Sequence, residues 1–119
     1  MTEISIIQTD NGLTISHLKS NEIPAGHAYQ VLCDPTPEGR HRTLASVNFQ
    51  NGPIPVAGIN GITNEALLTI LIHRTELLNA QYPCHENEVG IEFMRKALDA
   101  FEARTINRKA RGVEGKLIK

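Results

Sequence analysis

Apolar and polar residues alternate at a period of two through the first half of the chain and recur at helical spacing through the second. Residues 4–8 (ISIIQ) and 13–17 (LTISH) flank Asn11-Gly12, whose two positions tolerate positive φ and so favour a two-residue hairpin turn. Ile4 and Ile6 share one face while Ser5 and Ile7 share the other, which predicts a strand covered on both sides. A Pro/Gly loop at 23–26 leads to residues 28–33 (AYQVLC), and residues 43–49 (TLASVNF) read as a returning strand. Between them, Pro35 and Pro37 mark 34–39 as a turn, since proline cannot serve a central strand. The pattern predicts an antiparallel sheet of three or four strands over residues 1–49.

Beyond a Gly/Asn/Pro loop at 50–62, helical spacing takes over. Thr63 can accept bonds from the unpaired N–H groups of a first turn, and Glu65 suits the positive end of the helix dipole. The first helix runs to about Gln81, where Tyr82 precedes Pro83 and is held out of the α region. A second helix opens at Glu86 or Asn87, one of which is the expected cap, and ends near Arg111 with Gly112 in the left-handed position. The fold class is α+β, a small N-terminal sheet followed by a long two-helix antiparallel hairpin over 63–112 and a tail at 113–119, all in one domain.

The first helix is apolar nearly all round, through Ala66, Leu67, Leu68, Ile70, Leu71 and Ile72. The second repeats Phe93, Met94, Ala97, Leu98 and Phe101 at helical spacing. So wide an apolar surface is either covered by the sheet and the partner helix or shared with another subunit.

Composition narrows the class. At 119 residues with 40% hydrophobic and 21% charged positions, the chain is of globular type. No apolar run approaches the ~18–20 residues that span a bilayer, and the start at Met1 lacks the basic and apolar regions of a signal peptide. Two cysteines, Cys33 and Cys84, fit a reducing interior, so the expected compartment is cytoplasmic. The net charge of −1 hides an asymmetry. Residues 90–119 hold eight Lys/Arg against four acids, whereas residues 1–89 hold four against nine. A local anionic partner for the C-terminal segment fits this better than coating by a nucleic-acid polymer.

Three features could carry chemistry. Arg104, Arg108 and Arg111 stand at i, i+4 and i+7 and share one helix face. Three guanidinium forks in a row suit phosphates, yet arginines at a helix C-terminus also serve simply as solvated partners of the dipole. The glycines of 52–61 can let backbone N–H groups approach an anion, or merely make a tight connection. No metal or cofactor is expected, because the five histidines and two cysteines lack ligand spacing. His73 reads as a hydrogen-bonded core histidine, and Cys84 as a nucleophile no more readily than as a packed residue. Neither a carboxylate-held metal nor a histidine pair for phosphodiester cleavage is legible, which favours binding over turnover.

Three blocks in order, 49–61 (FQNGPIPVAGING), 63–78 (TNEALLTILIHRTELL) and 84–115 (CHENEVGIEFMRKALDAFEARTINRKARGVEG), resemble the phage anti-Thoeris and anti-CBASS sponges of immune cyclic nucleotides. The resemblance covers about residues 47–116, and the preceding strands, including 29–34 (YQVLCD), resemble the anti-Thoeris branch. It implies a non-enzymatic protein of the infected host's cytoplasm. Such a protein sequesters glycocyclic ADP-ribose and, for some members, cyclic di- and trinucleotides. It implies dimers, often assembled as a hexamer of three dimers, with sites between subunits.

Carried onto this chain, the resemblance points to Asn87, Arg104 and Arg108 as ligand-binding residues, with Arg111 a further contact. Where the family stacks an aromatic residue on the base, this sequence has Leu77, which can cover a purine face; Tyr82 is the nearby aromatic. Asn51, Gly52 and Asn60 match the family's loop. The rival readings are an enzyme that degrades the same signals and a small nucleic-acid-binding protein.

Overall fold

A computed structural model describes residues 1–110 and 112. Four strands form a meander, β1 (Glu3–Asp10), β2 (Leu13–Lys19), β3 (Ala28–Cys33) and β4 (Arg42–Asn48), paired antiparallel in the order β1-β2-β3-β4. Three helices follow: α1 (Ile54–Ala57), α2 (Asn64–Gln81) and α3 (His85–Ala110). The chain separates into a sheet unit (residues 1–51 and 59–62) and a helical unit (52–58 and 63 onward). The predicted α+β class holds, sheet first and hairpin second.

In the sheet unit, Asn11 and Gly12 both take positive φ, 48° and 82°, and make the expected tight turn from β1 into β2. Leu13, Ile15 and His17 lie opposite Cys33, Val31 and Tyr29 on one face. The other face places Ser16 and Ala28, both buried, in neighbouring rows. The expectation that β1 is covered on both sides fails, because Ile4, Ile6 and Ile7 are all exposed. β1 is an edge strand, and Ile7 bulges out of the pairing between Ile6 and Gln8, which releases it from either face. A second bulge places Leu44 between the pairs Val31–Ala45 and Leu32–Thr43.

β4 stops at Asn48, and Phe49 forms a single parallel bridge with Ile62. The segment from 50 to 62 is not loop throughout. Its helical-unit portion contains the one-turn helix α1, set by the fixed φ of Pro53 at the cap and Pro55 inside the turn, and closed by Gly58 at φ 72°.

In the helical unit, Thr63 caps α2 as expected, its Oγ1 accepting the Ala66 N–H at 3.1 Å. The less exposed residues of α2 are Glu65, Leu67, Leu68, Ile72, Thr75 and Asn79. Those of α3 are Asn87, Val89, Gly90, Ile91, Met94, Ala97, Leu98, Thr105 and Arg108, with part-exposed Phe101 between Leu98 and Thr105. Spacings of three and four recur within both sets, as expected where two helices pack antiparallel. Two polar ties fix the register: Arg95 Nη2 donates to Glu76 Oε2 at 2.7 Å, and Thr105 Oγ1 to Glu65 Oε2 at 3.4 Å. The first of these is solvated at both ends and contributes little to stability.

The start of α3 differs from the expectation that Glu86 or Asn87 caps it. The helix begins at His85, the Cys84 carbonyl accepts the Glu88 N–H at 3.2 Å, and Asn87 lies inside the first turn. The cause is in α2: Asn79 Oδ1 accepts the Cys84 N–H at 3.0 Å and pins the turn just before the helix. A smaller expectation also fails, since His73 is exposed on α2 rather than in a core. Cys84, open between two readings, is exposed.

Candidate functional site

Four of the five residues singled out from sequence lie on the hairpin, at its two ends. Leu77 sits in the last turns of α2 with 59% of its surface exposed, and half-buried Asn87 opens α3. Both belong to the turn end. Arg104 and Arg108 occupy the last turns of α3, at the open end. Arg111 lies outside the described residues. Asn87 and Arg104 are separated by about five helical turns, or about 25 Å along the axis. No ligand the size of one nucleotide touches both within one chain.

The two arginines also differ from each other. Arg104 is exposed, with its fork open to a solute. Arg108 is only 7% exposed and already takes part in an interaction within the protein. Sequence spacing puts the two on one face as equals. In the fold the two differ in burial, Arg104 exposed and Arg108 nearly buried.

Side-chain amides hold the two ends of the glycine-rich segment together. Within the sheet unit, Asn60 Oδ1 accepts the Asn51 N–H at 2.8 Å while Asn60 Nδ2 donates to the Asn51 carbonyl at 2.7 Å. Gln50 Oε1 accepts the Asn60 N–H at 3.0 Å. Asn60 thus copies a strand pair with one side chain, and its polar atoms are occupied. Gly61 is required by space, because a Cβ there would fall on the Phe49 carbonyl group and within 2.6 Å of Gln50 N. These contacts make a tight connection between residues 49–51 and 60–61.

A cleft of about 200 Å³ lies within the sheet unit, bounded by Glu22, Ile23, Pro24 and His27 on one side and Asn48, Phe49, Asn51 and Asn60 on the other. Its lining carries no Lys or Arg, so it is not built for phosphate. Among the described residues no group of three His, Cys, Asp or Glu is placed to hold a metal, and no helix is long and apolar enough to cross a membrane.

The chain is similar to a phage protein. It is 42% identical over 73 residues to Thoeris anti-defense 1 of Bacillus phage SBSphiJ7, a match that takes in 60% of this chain and 51% of that protein. The chain therefore spans about half the length of this curated relative. No protein-family model matches it. The relative's name states an anti-defence role for that protein. It does not say which residues carry it.

Of the features absent from the sequence reading, three bear on the hairpin's ends. The Asn79–Cys84 bond shapes the turn beside Asn87, the Glu65–Thr105 bond joins the helices near the open end, and Arg108 is nearly buried there. The first had a signal in the sequence, since Asn79 precedes the Tyr82-Pro83 stop and amide side chains commonly satisfy N–H groups at such turns. The third had none, because helical periodicity gives the face a residue takes and not what lies against it.

Proposed function

We propose that this chain is a phage anti-defence protein of the anti-Thoeris kind, one that binds the cyclic nucleotide signals of bacterial immunity and holds them without cleavage. Glycocyclic ADP-ribose is the first ligand of this reading, with cyclic di- and trinucleotides as further ones. The observation that carries it is the 42% identity to a phage protein named for action against Thoeris defence. Such a protein would work in the cytoplasm of the infected host, where the signals are released.

The hairpin supports a particular construction of the site. Arg104 offers a charge-assisted fork to a phosphate, Asn87 an amide to a base or sugar, and Leu77 an apolar surface to a ring. Because Asn87 and Arg104 are about 25 Å apart on one helix, the two must come from different copies of the chain. Two hairpins side by side and antiparallel bring the turn end of one to the open end of the other, and a two-fold axis makes two equal sites. Apolar residues left exposed along the hairpin, Ile70 and Leu77 on α2 and Phe93 on α3, supply surface for such a contact. Three such dimers would make the hexamer. Arg111 is assigned to the same site as a further phosphate contact.

A sponge must outcompete the signal's own receptor, so nanomolar affinity, about −12 kcal/mol, is expected. Incubation with glycocyclic ADP-ribose isomers and with cyclic di- and trinucleotides, followed by ultrafiltration, tests the proposal. The expected result is depletion from the filtrate and recovery of intact ligand, in stoichiometric amount, after denaturation. Recovery of a product would instead mean an enzyme, and no depletion of any of these would refute the reading.

A further inference from the structure

We propose that His17 is a proton-released latch on the Ser20–His27 strap, which forms one wall of the cleft in the sheet unit. The strap joins β2 to β3. Its first part is tied to itself: Ser20 Oγ accepts the Glu22 and Ile23 N–H groups at 3.2 and 3.1 Å, and the backbones of Ser20 and Ile23 bond each other both ways. At its far end the His27 carbonyl accepts the Phe49 N–H at 2.8 Å. Between these, the Ala25 carbonyl lies 3.1 Å from His27 Nδ1, and among the described residues the one bond from 24–26 to the strands runs from Gly26 N–H to His17 Nε2 at 2.8 Å.

That bond fixes the state of the imidazole. The donor is a backbone amide, so Nε2 must be unprotonated and the ring proton must sit on Nδ1. Adding a proton turns Nε2 into a donor that faces another donor. The bond cannot survive, and a charged ring is left against a peptide N–H. The ring itself is held in place, with its centroid 5.3 Å from that of Tyr29, which in turn meets Phe49 edge-on at 6.0 Å. It is therefore the strap, not the ring, that gives way.

The neighbours of the ring leave this conflict unrelieved. Ser5 lies opposite on β1, and the nearest charged pair on those strands is Glu3 opposite Lys19. β3 presents the Tyr29 phenol, and the strap carries Glu22 and His27. None of these makes a hydrogen bond or ion pair with His17.

Release has two consequences within the sheet unit. The wall made by Glu22, Ile23, Pro24 and His27 moves away from Asn48, Phe49, Asn51 and Asn60, widening the cleft. The His27–Phe49 bond passes the motion to the first residue of the 49–62 segment. Acid thus loosens the segment that carries the Asn60 clamp, without touching the hairpin residues assigned to the ligand.

NMR on the whole protein tests this. Nitrogen-15 shifts of His17 at neutral pH should show Nδ1 protonated and Nε2 bare. On acidification, the Gly26 amide should lose at least tenfold of its exchange protection, corrected for intrinsic rate, at the same midpoint as the His17 ring signals. His17→Phe keeps a ring beside Tyr29 but removes the acceptor, and should show the lowered protection at neutral pH. A proton on Nε2 at neutral pH, protection that does not follow the His17 titration, or a fully protected Gly26 in His17→Phe would each overturn the proposal. The first two readouts need only the wild-type protein.

Discussion

Arg104 and Arg108 stand one helical turn apart, and the structure predicts opposite responses to losing them. Arg104 is exposed, and truncating an exposed side chain away from caps and cores changes stability by no more than about 0.5 kcal/mol. Arg108 is 7% exposed and engaged. Hydrogen bonds from a charged group are worth about 1.5–3 kcal/mol, the loss expected on truncation there beside the packing of the aliphatic stem. A chain of 119 residues unfolds with an entropy that turns each kcal/mol into about 4 °C, so Arg108→Ala should lower Tm by about 6–12 °C. Arg104→Ala should leave Tm within about 2 °C. It should instead weaken ligand capture about ten- to hundredfold, the equivalent of one or two phosphate contacts. Differential scanning fluorimetry without ligand, then calorimetric titration with glycocyclic ADP-ribose, separates the two effects. Equal Tm losses, or an Arg108→Ala protein as stable as the parent, would refute the division into donor and anchor.

Mixing tests the site's construction: Asn87→Ala and Arg104→Ala proteins, each deficient alone, should regain about a quarter of the parental capacity after co-refolding, because mixed dimers keep one intact site of two. No recovery would place both residues in one chain's site. Gly61→Ala should cost more than about 2 kcal/mol by driving a Cβ into the Phe49 and Gln50 backbone, seen as a fall in the urea midpoint at unchanged slope. Asn60→Ala removes a two-way clamp and should cost about 1–3 kcal/mol, with faster amide exchange at Asn51; an unchanged Asn51 amide would deny the clamp. Thr63→Ala should cost about 1 kcal/mol through loss of the α2 cap, measured by the same urea titration.

What the sequence made legible and what it hid follow from the range of the forces involved. The Asn11-Gly12 turn, the Thr63 cap and the stop at Tyr82-Pro83 are set by residues within a few positions of one another, and each stands where local chemistry puts it. The cap of α3 was misread because its determinant, Asn79, belongs to the preceding helix. Exposure of β1 was misread for a related reason. Alternation shows which side chains share a face, but an edge strand with a bulge at Ile7 need not bury either one.

The candidate site is hidden at a longer range still. Helical spacing correctly put Arg104 and Arg108 together, and the first turn of α3 correctly holds Asn87. Yet a 26-residue helix keeps those two groups apart as firmly as it keeps each of them in place. A rigid rod is poor at converging its own ends on a small ligand and well suited to offering each end to another rod. The same rigidity that prevents one chain from closing a site pre-organises the halves of a shared one, so that little ordering is required when the ligand arrives. Under the proposed reading the exposed apolar residues of the hairpin and its separated polar ends are one feature: the first would bring two copies together, and the second would become a site only once they had met.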